Sequence, residues 1–187
     1  DITAFFERYI CHFGVIADNA KNTEILCFRK GKSAHINTVL SEYICKFCKL
    51  TGFIFNKSRN LFALNLAKKS KNGYILLAEG NIDVVSLHQA GFDNAIASLG
   101  TAFTPEQARL ITRFKDEVVI CYDSDEAGQK ATIRAIEIIN SVGGRSKVIK
   151  LKNAKDPDEY IKANGAPAFA RAMSDALPST AFRISLL

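Results

Sequence analysis

The sequence contains no apolar run approaching the roughly 18 to 20 residues that a bilayer-crossing helix requires, and no charged-then-apolar leader with a small-residue cleavage site opens it. A membrane partner is therefore not expected, and the expected location is the cytoplasm. The five cysteines are odd in number and follow no framework spacing, so they read as reduced thiols rather than as a disulfide scaffold. No internal repeat and no Gly/Ser linker is evident. What remains is an ordinary globular composition. With 187 residues, 48% of them hydrophobic, the chain can bury one substantial core or two small ones.

The formal charge of +6 is unevenly spread. Residues 1–72 carry 12 Lys/Arg against 5 Asp/Glu, a net of +7, whereas residues 73–187 carry 13 against 14, a net of −1. A basic segment suits a polyanionic partner, because every Lys or Arg that neutralises a phosphate also releases condensed counterions. The plainer reading of the same charges is a solvated surface. The chain is expected to divide into a basic N-terminal lobe over 1–72, a regular α/β domain over 73–155 and a helical C-terminal segment over 156–187.

From residue 73 onward, short apolar runs alternate with helical periods. Strands are expected over 74–78, 94–99, 117–122 and 147–151. Helices are expected from Asp83 to Ala90, stopped by Gly91, from Pro105 to about Phe114, and from about Ala127 to Asn140, ended by Gly143-Gly144. The second helix has a marked start, with Thr104 as N-cap, Pro105 at the first position and Gln107 completing a capping box. The order β-α-β-α-β-α-β predicts a mainly parallel sheet with helices on both faces and a ligand site at the carboxyl ends of the strands. In the first lobe, 5–13, 36–48 and 61–69 have partial helical periodicity, and 23–28 could be a strand.

Three acidic clusters fall where strands are expected to end. In Glu79-Gly-Asn-Ile-Asp83 the glycine permits a sharp turn, and the two carboxylates can face one point. In Asp123-Ser-Asp125 an extended backbone sends both carboxylates to one side and Ser124 to the other. Asp156-Pro-Asp158 repeats that spacing with Pro157 stiffening the pair. Carboxylates gathered at one end of a sheet repel one another unless cations lie between them. Oxygen-only ligands favour Mg²⁺ or Mn²⁺ over zinc, because no His or Cys lies within the clusters. Acidic residues also cap helix N-termini, and each cluster taken alone could be doing that.

At these positions the sequence resembles the Toprim signature shared by primases, topoisomerases and some nucleases: Glu79-Gly80 with Asp83, then Asp123-x-Asp125 with Ala127-Gly128. The segments 56–68, 83–91, 97–102, 121–128 and 155–159 are similar, in that order, to bacterial DnaG-type primases. The resemblance runs from about Thr51 to the C-terminus. It implies a Toprim-type α/β fold preceded by a small basic α+β lobe. It also implies metal-dependent synthesis of short RNA primers on single-stranded DNA, a nucleotidyl transfer from NTPs. By the same resemblance, Glu79, Asp83, Asp123, Asp125, Asp156 and Asp158 match carboxylates that bind Mg²⁺ or Mn²⁺, with Glu79, Asp123 and Asp125 closest to the chemistry. Lys57 and Arg59 match a basic motif for nucleotide or nucleic-acid phosphates, and Ser98-Leu-Gly-Thr101 matches a turn near the active site. Zinc and the replicative helicase are implied as partners of modules outside this chain.

Residues 1–50 depart from the family pattern, lacking its Gly- and Arg-containing segment and its Lys-Tyr-Leu-Asn-Ser-Pro stretch. They carry instead Cys11, Cys27, Cys45, Cys48, His12 and His35. A single CxxC without a second pair favours buried thiols over a zinc site. His88 is expected to be packed or at the surface, and Cys121 in the core. Three rival functions are weighed. A Toprim nuclease or topoisomerase would need a tyrosine nucleophile or a dedicated cleavage site, for which Tyr9, Tyr43, Tyr74, Tyr122 and Tyr160 offer no context. An aspartyl-phosphate phosphohydrolase would expect a Thr soon after Asp-x-Asp, where Glu126-Ala-Gly128 stands. A non-catalytic nucleic-acid-binding module is the third.

Overall fold

The computed structural model describes residues 57–186. By compactness the chain divides into two units, Asp1–Lys46 and Phe47–Leu187. The expectations for 5–13, 23–28 and 36–48, and those for Cys11, Cys27, Cys45, Cys48, His12, His35, Tyr9 and Tyr43, lie outside the described residues. Residues 57–72, grouped by charge with the basic lobe, fall in the same unit as the sheet.

The described part of the second unit begins with a 3-10 turn, Lys57–Arg59, and a single helical turn, α1 (Leu64–Ala67). There follow β1 (Tyr74–Ala78), α2 (Asn81–Gln89), β2 (Ala95–Ala97), α3 (Pro105–Thr112), β3 (Glu117–Cys121), α4 (Glu126–Ser141) and β4 (Arg145–Val148). The segment closes with α5 (Pro157–Asn164), α6 (Ala166–Ser174), β5 (Leu177–Pro178) and α7 (Ser179–Ile184). The strands form one sheet in the order β2-β1-β3-β4-β5. The first four are parallel, and β5 pairs antiparallel with β4 through Val148 and Leu177.

Strands β1 and β3 are apolar on both sides because both faces of the sheet are covered. Ile75, Leu77, Val118 and Ile120 point into one core with Ala108 and Ile111 of α3 and Ala135, Ile136 and Ile139 of α4. The alternate residues Leu76, Ala78, Val119 and Cys121 are also buried, and by the strand period they face the side of α2, whose Val84, Val85 and Leu87 are buried. α5 packs on α2, and α6 packs on α5. Phe169 of α6 is fully buried, edge-on to Phe92 at 4.9 Å and to Tyr160 at 6.1 Å between ring centres. That aromatic contact fixes the helices that carry the third acidic cluster.

The α/β alternation and the parallel sheet are as expected, and several bounds shift for physical reasons. The strand expected over 147–151 is Arg145–Val148, because the Gly143-Gly144 turn delivers the chain directly to β3: Arg145 N–H donates to Asp116 O, and Glu117 pairs with Arg145. Arg145, Ser146 and Lys147 conceal this strand in the sequence by their polarity. The helix expected over 61–69 shrinks to one turn, since Phe62 forms a bridge with Ala97 and Ala63 takes a left-handed backbone with φ 65°. The short strand β5 has no counterpart in the expected pattern.

Candidate functional site

In a parallel sheet every strand ends at the same edge, and every following helix begins there. The order of strands reverses between β1 and β3: the connection from β1 runs outward to β2, and that from β3 runs the other way to β4. Such a switch point opens a crevice at the carboxyl ends of the two strands. Glu79 follows β1 and Asp123 lies two residues beyond the end of β3, so these two carboxylates flank that crevice. Asp123 N–H donates to Glu79 Oε2 at 3.4 Å.

The first cluster is shaped by the start of α2. Gly80 is the N-cap, and its N–H donates to Asp83 Oδ2 at 3.0 Å, so Asp83 caps the helix from its third position. A Cβ on Gly80 would sit 2.8 Å from that oxygen and push the carboxylate aside. Asp83 is buried, with 9% exposure, and its pKa is pushed up to about 7. Burial is the main cause, followed in the same sense by the negative charges of Asp156, Asp123 and Asp158, while the Gly80 N–H opposes the rise.

The second cluster straddles the entry to α4. Asp125 is the N-cap, accepting from Gly128 N–H at 2.8 Å. Gly128 is fixed by a close approach: a Cβ there would lie 2.1 Å from Asp123 O. The first turn of α4 thus rests on the backbone of Asp123 and holds it in place. Burial raises the pKa of Asp123, helped by repulsion from Glu79 and Asp156 and partly offset by Lys155, whose Nζ is 3.8 Å from Asp123 Oδ2.

The third cluster is tied to both others. Ser124 N–H donates to Lys155 O at 2.9 Å, and its hydroxyl donates to Ala154 O at 2.9 Å. Asp156 is the N-cap of α5, accepting from Glu159 N–H at 2.8 Å, and Pro157 takes the first helical position. Asp158 therefore lies inside the helix and does not project beside Asp156 as an extended chain would direct it. It accepts from the hydroxyl of Ser86 on α2 and from Nζ of Lys162 one turn later. Asp156, Asp158, Glu159, Lys162 and Ala163 line a cavity of about 470 Å³.

All six predicted carboxylates thus reach the same end of the sheet, and mutual repulsion links Asp83 with Asp123, Asp156 and Asp158, and Asp123 with Glu79 and Asp125. They are gathered rather than converged. Among the described residues no three His, Cys, Asp or Glu side chains form a ready-made metal cage. Four of them are engaged elsewhere, because Asp83, Asp125 and Asp156 cap helices and Asp158 binds Ser86 and Lys162. Capping and ligation are compatible uses, since a carboxylate that accepts from a backbone N–H through one oxygen keeps the other. The donor set fits a hard divalent cation: oxygen only, partly desolvated and short of positive charge. Asn81, in the turn after Glu79, has a buried Oδ1 with no hydrogen-bond partner among the described residues.

Lys57 and Arg59 lie at the same edge of the sheet, beside β2. Their turn is held through its backbone. Gln107, fully buried in α3, donates from Nε2 to Lys57 O at 3.0 Å and to Asn60 O at 2.7 Å, and Thr104 Oγ1 donates to Ser58 O at 2.6 Å. The expected capping box is present, with Thr104 Oγ1 accepting from Gln107 N–H at 3.1 Å and Gln107 Oε1 accepting from Thr104 N–H at 3.0 Å. The 98–101 turn follows β2 at this edge, with Gly100 at φ 66°. His88 packs inside the fold, its Nε2 2.9 Å from Ala95 O, and burial lowers its pKa. Cys121 is fully buried, and burial raises its thiol pKa. Sequence reasoning passed over Ser86, Ser124 and Lys162, whose roles depend on contacts 30 or more residues away or on the helical placement of Asp158.

Comparison with known proteins agrees with this arrangement. A Toprim-like family profile matches residues 76–161. The DNA primase of Clostridium acetobutylicum is 46% identical over 133 residues, which is 71% of this chain and 22% of the relative. That of Geobacillus stearothermophilus is 42% identical over 136 residues, 72% of this chain and 23% of the relative. The chain thus spans less than a quarter of the length of these relatives. Among solved structures, the E. coli primase catalytic core aligns with a TM-score of 0.66 at 36% identity, over 72% of this chain and 45% of that one. A DnaG primase catalytic domain bound to single-stranded DNA aligns with a TM-score of 0.66 at 35% identity, over 72% of this chain and 44% of that one. With strand order, acidic edge and sequence in agreement, this chain belongs with the Toprim-containing catalytic cores of bacterial DnaG-type DNA primases.

Proposed function

We propose that this chain carries the metal-binding half of a primase active site, and that it serves template-directed synthesis of short RNA from NTPs on single-stranded DNA. The observation that carries the reading is the electrostatically coupled carboxylate edge at the β1/β3 switch point. When bound, Mg²⁺ or Mn²⁺ would supply Lewis-acid stabilisation of the charge that develops on the transferred phosphate and the departing pyrophosphate. The protein's part is placement. Glu79, Asp123 and Asp125 border the crevice and would hold the cation nearest the chemistry, while Asp83, Asp156 and Asp158 complete the acidic wall. Burial of Asp83 keeps that wall partly dry, which strengthens every charge interaction within it. Lys57 and Arg59 would take nucleotide or nucleic-acid phosphates. The basic 1–72 segment would follow the template strand, where each neutralised phosphate makes binding more sensitive to salt. The RNA primer is the product of this reading, and a helicase contact would belong to a module outside the chain. Tyr122, only 8% exposed and packed in the core, is unsuited to the covalent nucleophile of a topoisomerase.

The deciding experiment replaces Asp123 and Asp125 together with Asn and follows primer synthesis from NTPs on single-stranded DNA with Mg²⁺ or Mn²⁺. Loss of synthesis by at least about 100-fold is expected, in line with removing charge stabilisation from a transition state. Full activity in the double variant would refute the reading, and cleavage of supercoiled plasmid would replace it with a Toprim nuclease.

A further inference from the structure

Two lysines sit on the acidic edge as internal cations. Lys155 Nζ lies 3.8 Å from Asp123 Oδ2, and Lys162 Nζ pairs with Asp158 Oδ2 from the next turn of α5. In both pairs the carboxylate is the sheltered member. Asp158 and Asp123 side chains are 20% and 22% exposed, against 69% and 61% for the lysines. Each aspartate has a second anchor besides its lysine: the Asp158 carboxylate accepts from the Ser86 hydroxyl, and the Asp123 main chain is fixed by the approach of Gly128 and by its N–H on Glu79. The lysines therefore contribute charge at the end of long, solvated stems that can swing away without disturbing the wall. Two ammonium groups balance one divalent cation.

We propose that Lys155 and Lys162 are exchangeable counter-ions of the carboxylate edge. Each pairs with its aspartate while no metal is bound, and each is displaced when a divalent cation binds. Once displaced, it is free to take the polyphosphate that accompanies the metal. This inference rests on the metal reading above and deepens it by naming the groups that would greet a di- or triphosphate. The geometry suits the second role as well as the first. Lys162 borders an open surface depression together with Asp156, Asp158, Glu159 and Ala163, so its ammonium is reachable by phosphate oxygens from solvent. A released ammonium there would face phosphate oxygens on the side away from the carboxylates. Such a pair is a weak lock by design, since exposed Lys–carboxylate pairs contribute little to stability and break readily.

The test separates the two roles, because they move two affinities in opposite directions. In the 187-residue chain, K155A and K162A should each bind Mn²⁺ about two- to fivefold more tightly than wild type, read from the electron paramagnetic resonance of free Mn²⁺, since each removes a competitor worth roughly one exposed ion pair. The same variants should bind inorganic pyrophosphate, titrated calorimetrically in saturating Mg²⁺, more weakly by a similar factor. K162R should keep wild-type behaviour in both titrations. Lys152 is exposed in the same loop and pairs with no carboxylate among the described residues, so K152A controls for the loss of one positive charge and should change neither affinity. Unchanged or weaker Mn²⁺ binding in K155A and K162A would overturn the proposal, as would an equal gain in K152A. Tighter Mn²⁺ binding with undiminished pyrophosphate affinity would overturn the phosphate role. No Mn²⁺ binding by the wild-type chain would overturn the metal reading itself and this inference with it.

Discussion

Asp123-Ser124-Asp125 and Asp156-Pro157-Asp158 have the same spacing, and the fold uses them differently. In the first pair the N-cap is the second aspartate, so the first caps nothing and lies just beyond its strand beside Glu79, with Lys155 as its ion-pair partner. In the second pair the N-cap is the first aspartate, so the second becomes the second residue of the helix and is turned toward Ser86 and Lys162. An i, i+2 pair sends both side chains one way only while the backbone stays extended. Where the helix begins decides which member of the pair points at the crevice, and a shift of the cap by two residues within the motif exchanges their roles.

The largest effect on this arrangement is expected at Gly128, which keeps Asp123 in place. Gly128→Ala should destabilise the chain by about 3 kcal/mol or more, because backbone rather than a yielding side chain meets the new methyl. Gly73→Ala, where a Cβ meets nothing within 4 Å, should be nearly neutral, and urea unfolding of both variants measures the contrast. Equal effects would remove the claim that α4 seats Asp123.

Next comes Asp83, whose folded pKa of about 7 lies well above the ordinary aspartate value. Between roughly pH 4 and 7 the metal-free folded chain holds a proton that the unfolded chain has lost, so the stability this group contributes is full below about pH 4 and drains away as pH rises through about 7. Asp83→Asn should abolish that part of the pH dependence and be more stable than wild type at pH 8 by about 2–3 kcal/mol in the absence of metal. Thermal melts at pH 4 and pH 8 in chelator check this, and an unchanged profile would argue that repulsion and burial are relieved some other way.

The smallest effects separate the two Asp-x-Asp pairs directly. Asp125→Ala and Asp156→Ala each remove a helix cap and should lower stability by about 1 kcal/mol. Asp123→Ala should cost less than Asp125→Ala, because Asp123 carries an unfavourable charge and caps nothing. Asp158→Ala should cost less than Asp156→Ala. The reverse order in either pair, read from denaturant midpoints, would mean that the caps are not the structural members.

Much of this was legible in the sequence where local chemistry and tertiary structure agree. Thr104, Pro105 and Gln107 announce a helix start by themselves, and Tyr74-Ile-Leu-Leu-Ala78 and Glu117-Val-Val-Ile-Cys121 announce buried parallel strands. The location of the acidic edge followed from those elements. What escaped was set at a distance. Gly128 has no special φ to betray it, and its requirement comes from the carbonyl of Asp123. The polarity of Arg145-Ser-Lys147 hid the start of β4, which a glycine turn aims into the sheet two residues before the expected strand begins. The fate of Asp158 depended on Ser86, 72 residues away in sequence.

Gln107 bears on how such a site can change over time. It grips the Lys57–Arg59 turn by the main-chain oxygens of residues 57 and 60, a handle that any amino acid supplies equally. The turn's shape is thereby uncoupled from what it displays. Substitutions at positions 57 and 59 can change the charge and shape displayed there while the scaffold stays as it was, because one buried amide holds the backbone whatever the side chains.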